Sequence, residues 1–478
     1  MNARRGLASW APWEWWLLTG LALVTRLWQI TSPPDLVWDE RHYAYYVGAY
    51  LSGDWMMDVH PPLGRLLWTL VAWLVGYGPD LVTQEQGMPW VRIVPACAGA
   101  MLVPLVWAVA RRLGAGRLGA ALAALAVLAD TGLWAMSRVA VPDILLLTAL
   151  MGSMASALSA VQAPSPRARW WWTLLAAVGA GMAVSIKWTG LAAPALVFVI
   201  FAWATWTKQW PGWRLLQSLG MGVVVISAIY VGAFRLHVAL LPNTGREIGW
   251  MSPAFEATRR GSSSYDPSAQ LSFSAQFVEM HRVMLRMHSS VAELGGGASS
   301  SPWYSWPLSQ HTITLRSDLG GQGDAQRWMI VAGNPVVWWG ALAAIVLATI
   351  VFAGVGLLAV ARRNGTGNRW TAAIDARRPA LCFLVIAYAV NFVPFMLIRR
   401  PMYLYHYLAA LLMAIIALGV ILDAAATVHP RGARRIAVGV GSLAVLVAVY
   451  LAPMVYGWPI GKAAAEHRIA FVERRLSR

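Results

Sequence analysis

Apolar residues in this chain come in long runs, not in strand-like alternation. Eleven stretches reach the roughly 20 residues a helix needs to cross a bilayer: about 14–30, 92–110, 118–136, 142–162, 170–187, 188–205, 215–235, 335–361, 379–398, 403–425 and 436–456. A further run, LGRLLWTLVAWLVGYG at 63–78, is shorter and carries Arg65. Tyr43, Tyr46, Val47, Tyr50 and Leu51 follow the i, i+3, i+4, i+7 spacing of one helix face and predict an amphipathic helix lying in the interface.

The polar connections decide how the 63–78 run is placed. If it does not cross, Arg4 and Arg5, the RRLGAGR turn at 111–117, PSPRAR at 164–169, Lys208 with Arg214, the connection from Arg362 to Arg378, and HPRGARR at 429–435 all share one side. The positive-inside rule makes that side cytoplasmic. If it crosses, RRLGAGR swaps sides relative to Arg4 and Arg5. The expectation is therefore an all-α polytopic membrane protein with eleven spans, its N-terminus inside and its C-terminus outside. Three regions follow: an N-terminal module at 1–235 with its first outer loop at 31–78, an outer loop at 236–330, and a four-helix module with a tail at 331–478. The long loop holds GSSSYDPS, GGGASSSP and GGQGD and reads as turn-rich and mobile, with SPWYSWPL at 301–308 as its ordered exception.

Composition supports this class. Over 478 residues, 58% hydrophobic and 12% charged content, with mean hydropathy +0.54, excludes ordinary soluble domains. A formal charge of +17 would suggest nucleic acid in a soluble protein, but here the arginines sit in short connections and report topology, so no nucleic-acid partner is expected. The 28 tryptophans suit the headgroup region. Cys97 and Cys382 lie in apolar runs and show neither a disulfide framework nor zinc spacing. The first run carries Glu14 and Arg26 and lacks a small-residue cleavage site, so it reads as an anchor.

This topology gathers Asp39, Glu40, His60, Ser137, Arg138, Lys187, Arg399 and Arg400 on the outer face. Asp39, in WDERHYAYY, suits two roles: N-cap of the helix that follows, or a carboxylate that does chemistry. Successive helical residues point about 100° apart, so Asp39 and Glu40 do not readily address one hydroxyl. Arg138 has the alternative of snorkelling to headgroups. Asp143, near the start of a span, calls for a buried partner. His60 in DVHPPL reads first as a hydrogen-bonded structural residue, and Tyr405 with His406 carries the same ambiguity. Asp39, Glu40, Asp58 and His60 have no ligand spacing that makes a metal site specific; none is assigned, and dependence on a divalent metal stays open.

These residues carry a resemblance. The DE pair at 39–40 with MDVHPPLGRLL at 57–67 resembles the first outer loop of the protein O-mannosyltransferases, the dolichyl-phosphate-mannose family of GT-C glycosyltransferases. MSRVAVPDILLL from 136, AVSIKWTGL from 183, SPWYSWPL from 301, NPVVWW from 334 and RRPMYLYHYLAAL from 399 follow in the same order. The resemblance implies an inverting enzyme that moves mannose from a polyprenyl phosphate, on the outer face of the membrane, to Ser or Thr hydroxyls of exported proteins. Its lipid-linked donor takes the place of a resident cofactor, and the protein export machinery is a candidate partner.

Such a reaction needs a carboxylate to take the hydroxyl proton and cations to hold the departing phosphate. It needs no second acid, unlike glycoside hydrolysis. The family match makes Asp39 the base and gives Glu40 acceptor binding or orientation of the site. Arg138 is expected to contact phosphate or to pair with an acid of the first loop. Arg399 and Arg400, ahead of Lys187, are expected to hold the donor phosphate, because a guanidinium fork matches it. Trp303, Tyr304 and Trp306 are expected to floor a sugar or peptide groove unless they form an aromatic belt, with His60, Tyr405 and His406 on the substrate side.

The chain departs from the family at Arg65, where lysine is common, at Tyr304, where tryptophan is usual, and at GGGASS, where a His-Pro element often stands. The 236–330 loop is too short for the three β-trefoil repeats that eukaryotic relatives carry between these spans, so the resemblance implies a bacterial enzyme in the cytoplasmic membrane. Two alternatives stand beside this reading. One is a related GT-C transferase acting on a lipid or cell-wall glycan. The other is a transporter, against which the lack of an obvious internal repeat argues.

Overall fold

Long apolar runs satisfy their backbone in a bilayer only as helices. The computed structural model describes residues 13–79, 89–293, 297, 299–317, 325–354 and 368–473, and each of the eleven runs, as far as it is described, is helical. The first half contains α1 (Trp13–Leu27), α2 (Glu40–Ser52), α3 (Leu63–Leu74), α4 (Ile93–Arg112), α5 (Arg117–Ala129), α6 (Thr131–Met136), α7 (Asp143–Val161), α8 (Pro166–Ile186), α9 (Ala192–Trp206) and α10 (Gly212–Leu240). After them come α11 (Phe273–Glu293), α12 (Pro335–Ala353), α13 (Arg378–Phe392), α14 (Leu408–Val428) and α15 (Pro430–Tyr456). Among the described residues, eight helical stretches are long and apolar enough to cross a membrane by length and composition. The α1, α5–α6 and α8 runs fall outside that set, so length and composition together do not establish eleven crossings.

The 63–78 run forms α3, whose 12 residues make about 18 Å at 1.5 Å per residue, short of the roughly 30 Å hydrocarbon core. One face of α3 buries Arg65, Leu66, Trp68 and Ala72, and the other exposes Leu70, Trp73 and Leu74, as an interfacial helix does. The 118–136 run is broken at Asp130, a buried residue in extended conformation that caps α6. Its carboxylate accepts from the Leu133 N–H at 2.8 Å, the Asn334 N–H at 3.1 Å and Trp338 Nε1 at 2.7 Å. Asn334 in turn donates to the carbonyls of Ala129 at 3.0 Å and Ala444 at 2.8 Å. The NPVVWW segment thereby ties α5–α6, α12 and α15 together through buried polar groups that are expensive to leave unpaired. Where α5 crosses α14, Gly119 and Gly419 face each other so closely that a Cβ on either would overlap the other's carbonyl.

The outer region corrects the expectation of a mobile loop. Apolar residues at 277, 280, 283, 284 and 287 repeat with helix period and form α11. Its Met280, Val283 and Met284 are buried in a second core with Trp55, Met56, Phe234 and Phe255. Strands β1 (Ile313–Ser317) and β2 (Ala325–Val331) pair antiparallel, with Ile313 opposite Val331. Strand β3 (Pro459–Gly461), from the segment after α15, adds to the free edge of β2. GGQGD and part of GGGASSSP lie outside the described residues.

Candidate active site

Arg92, at the head of α4, organises the segment that enters α2. Its Nε and Nη2 donate to the two Glu40 oxygens at 2.8 and 2.6 Å, and its remaining N–H groups reach the carbonyls of Pro33 at 2.6 Å and Asp35 at 2.9 Å. Glu40 also accepts from the Val37 N–H at 3.0 Å and the Ala140 N–H at 2.8 Å. With four hydrogen bonds and 1% exposure, Glu40 has no carboxylate surface left for an acceptor. Of its two expected roles, acceptor binding is corrected by these contacts, and orientation of the site is the one they suit.

Between these anchors, Trp38 adopts φ 46°, a left-handed conformation that costs a bulky residue energy. Its ring meets those of Tyr403 and Tyr405 edge-on, with centroids 6.0 and 5.6 Å apart. Asp39 follows at the N-cap position of α2, yet its side chain makes no capping bond. Among the described residues it has no side-chain hydrogen bond or ion pair, and it is half-buried. Burial pushes its carboxyl above the ordinary range; His42 and Lys187 oppose this, and Asp143 and Asp58 reinforce it.

The neighbouring charges are paired. Lys187, at the break after α8, places Nζ 2.9 Å from Asp143 Oδ1 and 4.9 Å from the centroid of the Tyr405 ring. Asp143 thus has the buried partner its position calls for, and the Lys187 charge is largely committed. Asp58 pairs with Arg65, which also donates to the His60 carbonyl at 3.0 Å. The His60 ring lies 6.2 Å from that of His288 on α11. Burial, reinforced by Lys187 and Arg400, keeps the His60 imidazole well below its ordinary range, and His288 is lowered in the same way.

Arg399 and Arg400 lie in the turn before α14 and line one cavity of about 730 Å³. Asp143, Trp188, His288, Tyr405 and His406 also line it, and Leu146, Leu147, Leu150, Val390 and Ile398 give it an apolar wall. Arg400 is half-buried while Arg399 is exposed, and neither has a hydrogen bond or ion pair among the described residues. The field of Arg400 reaches His60, His288 and Tyr403, which puts it on the side of Asp39.

Other expected site residues stand elsewhere. Arg138 donates to the carbonyls of Arg26 at 2.9 Å, Trp28 at 2.6 Å and Gln29 at 2.8 Å, and stacks 4.4 Å from the Tyr456 ring centroid. It closes the C-terminal end of α1, as a cation there should, and pairs with no first-loop acid. Trp306 is fully buried, donates to Ser301 at 3.0 Å and stacks on His406, so it belongs to the core and floors no groove. Trp303 is half-buried against Phe392, and Tyr304 is 66% exposed. His406 lines the cavity, but its ring closes a capping box with Tyr403. Among the described residues, no group of three or more His, Cys, Asp or Glu side chains is placed to hold a metal. Of the set raised from sequence, Glu40 is bound to Arg92 and Asp58 to Arg65.

Two family models match in tandem. Residues 16–243 match the dolichyl-phosphate-mannose-protein mannosyltransferase family, and residues 273–473 match the C-terminal four-transmembrane region of protein O-mannosyltransferases. The chain belongs to the protein O-mannosyltransferase family. Its relatives include Protein O-mannosyltransferase 1 of Drosophila melanogaster, 29% identical over 52% of this chain and 30% of the relative. Protein O-mannosyl-transferase 1 of Mus musculus is 30% identical over 51% and 36%. The chain spans less than half the length of these two relatives. Its fold is that of the S. cerevisiae Pmt1–Pmt2 complex solved with its sugar donor, with TM-score 0.80, 17% identity, and coverage of 96% of this chain and 92% of that one.

Within this O-mannosyltransferase fold, sequence reasoning missed Arg92, Trp38 and His288. Arg92 is simply the first residue of the 92–110 run, with no motif to mark it. The histidine spacing of α11, His281 and His288, follows one helix face and was the available signal for the last.

Proposed function

We propose that this protein transfers mannose from a polyprenyl-phosphate donor to Ser or Thr hydroxyls of exported polypeptides, with inversion, at the outer face of the cytoplasmic membrane. The observation that carries the reading is Asp39: a half-buried carboxylate with a raised proton affinity and no protein partner among the described residues, in a chain of this family. The acceptor oxygen attacks the anomeric carbon as the bond to the phosphate oxygen breaks. The phosphate leaves with that electron pair, and the hydroxyl proton passes to Asp39. One displacement inverts the centre. Arg400 neutralises the phosphate, and the leucine-lined wall of the cavity suits the polyprenyl chain. The outer-face assignment rests on the arginine distribution.

The test is incubation of the purified protein in detergent with polyprenyl-phosphate mannose and a Ser/Thr-rich peptide. Inverted mannosyl-peptide is expected, and mannose appearing only on lipid or glycan acceptors would overturn the protein-acceptor reading. Arg400→Ala is expected to weaken donor use by about ten- to a hundredfold, since charge-assisted hydrogen bonds contribute about 1.5–3 kcal/mol. Arg399→Ala should cost less, being exposed at the rim. Donor titrations of both variants check this, and equal losses would put Arg399 on the phosphate as well.

A further inference from the structure

A second concavity lies beside the first. The turn at 249–252 and one face of α11 enclose an open groove of about 1060 Å³ lined by Trp250, Val278, Glu279, Arg282, Leu285 and Arg286, among others. Leu285 lines both this groove and the cavity that holds Asp143, His288 and Arg400, so the two adjoin at that residue. The groove offers apolar surface, with Val278 47%, Leu285 58% and Trp250 37% exposed. Its lining is net positive, with Arg282 and Arg286 against Glu279. The Glu279 carboxylate is held by the turn, accepting from the Ser252 N–H at 2.5 Å and the Ser252 hydroxyl at 3.0 Å. Arg286 bridges the walls by donating to the Trp250 carbonyl at 2.8 Å. Arg282 is exposed and makes no hydrogen bond or ion pair among the described residues.

We propose that this groove receives the acceptor polypeptide beyond its reacting hydroxyl, and that Arg282 and Arg286 favour an acidic side chain there. The inference rests on the transfer reaction proposed above. A trough with a wall on each side fits an extended chain, whereas a bilayer would meet a convex amphipathic face. The geometry also sets a register. Arg282 lies six residues before His288 on α11, about 9 Å along the helix. At about 3.3 Å per residue of extended chain, about three residues cover the distance from Arg282 to the cavity-lining His288, so the acidic residue belongs at least about three positions from a hydroxyl that reacts in that cavity.

The experiment uses the full-length protein in detergent and peptides with a single Thr, carrying Asp, Asn or Lys three to five positions away. The Asp peptide is expected to have the lowest acceptor KM and the Lys peptide the highest, differing by about two- to fivefold for each arginine engaged, the range of exposed ion pairs. Raising the salt should shrink the difference. Arg282→Gln should narrow the difference, leaving the part owed to Arg286, and Arg282→Glu should narrow it further. Transfer with the same KM for all three peptides would overturn the groove assignment and leave the reaction standing, with the arginines then serving headgroups or solvent. Transfer to none of them overturns both.

Discussion

Asp39→Asn is expected to fold, bind donor and lose about 10²- to 10⁴-fold in mannose transfer, the range for removing a positioned base. Asparagine keeps the size of the side chain and still caps helices, and the carboxylate caps nothing in the first place, so a loss of this size could not come from the helix start. The pH profile gives a second readout. For a base the deprotonated carboxylate is the active form, and burial raises the proton affinity of Asp39. The acid limb of kcat/KM should therefore lie above the ordinary aspartate value of about 3.9, with the rate falling as pH drops through it. The asparagine variant should lack that limb. Near wild-type transfer by folded Asp39→Asn protein would refute the assignment.

Arg92→Met is expected to be the most damaging change outside the reaction centre. It strands Glu40 as an uncompensated charge at 1% exposure, and breaking a buried pair from one side costs about 3–5 kcal/mol. Thermal unfolding in detergent should show a large fall in Tm and little folded yield. Adding Glu40→Gln to Arg92→Met should recover part of the loss, because no buried charge is then alone. Glu40→Gln by itself separates the two roles of this acid. If Glu40 only holds the segment, the folded fraction of that variant should keep its acceptor KM, and a raised acceptor KM in folded protein would return Glu40 to the acceptor site.

The apolar runs made the helices legible, because run length and helix formation are the same requirement in a bilayer. The tyrosine face of α2 and the need of Asp143 for a partner were also readable, each being a local or single-residue constraint. The contacts that build the site were not. Glu40 finds Arg92 across 52 positions and Ala140 across 100, and Asp130 finds Asn334 across 204, distances at which sequence pattern carries no pairing information. Arg138 shows the same limit from the other side. Its family motif marked the residue, but only the carbonyls of α1 reveal that the motif serves packing. The outer loop was misread because its glycine and serine clusters overshadowed the periodicity of α11 and the short alternation of β1.

The left-handed backbone at Trp38 sets local stability against speed. Holding a bulky residue there costs on the order of 1–2 kcal/mol, which the fixed ends at Val37 and Glu40 and the edge contacts with Tyr403 and Tyr405 must offset. Glycine would relax that backbone without penalty. It would also remove the ring that joins the segment bearing Asp39 to the turn bearing Arg400, so the more comfortable chain would let Asp39 and Arg400, the proposed base and phosphate-holding cation, drift independently. A selection for thermal robustness and a selection for turnover would thus choose opposite residues at position 38.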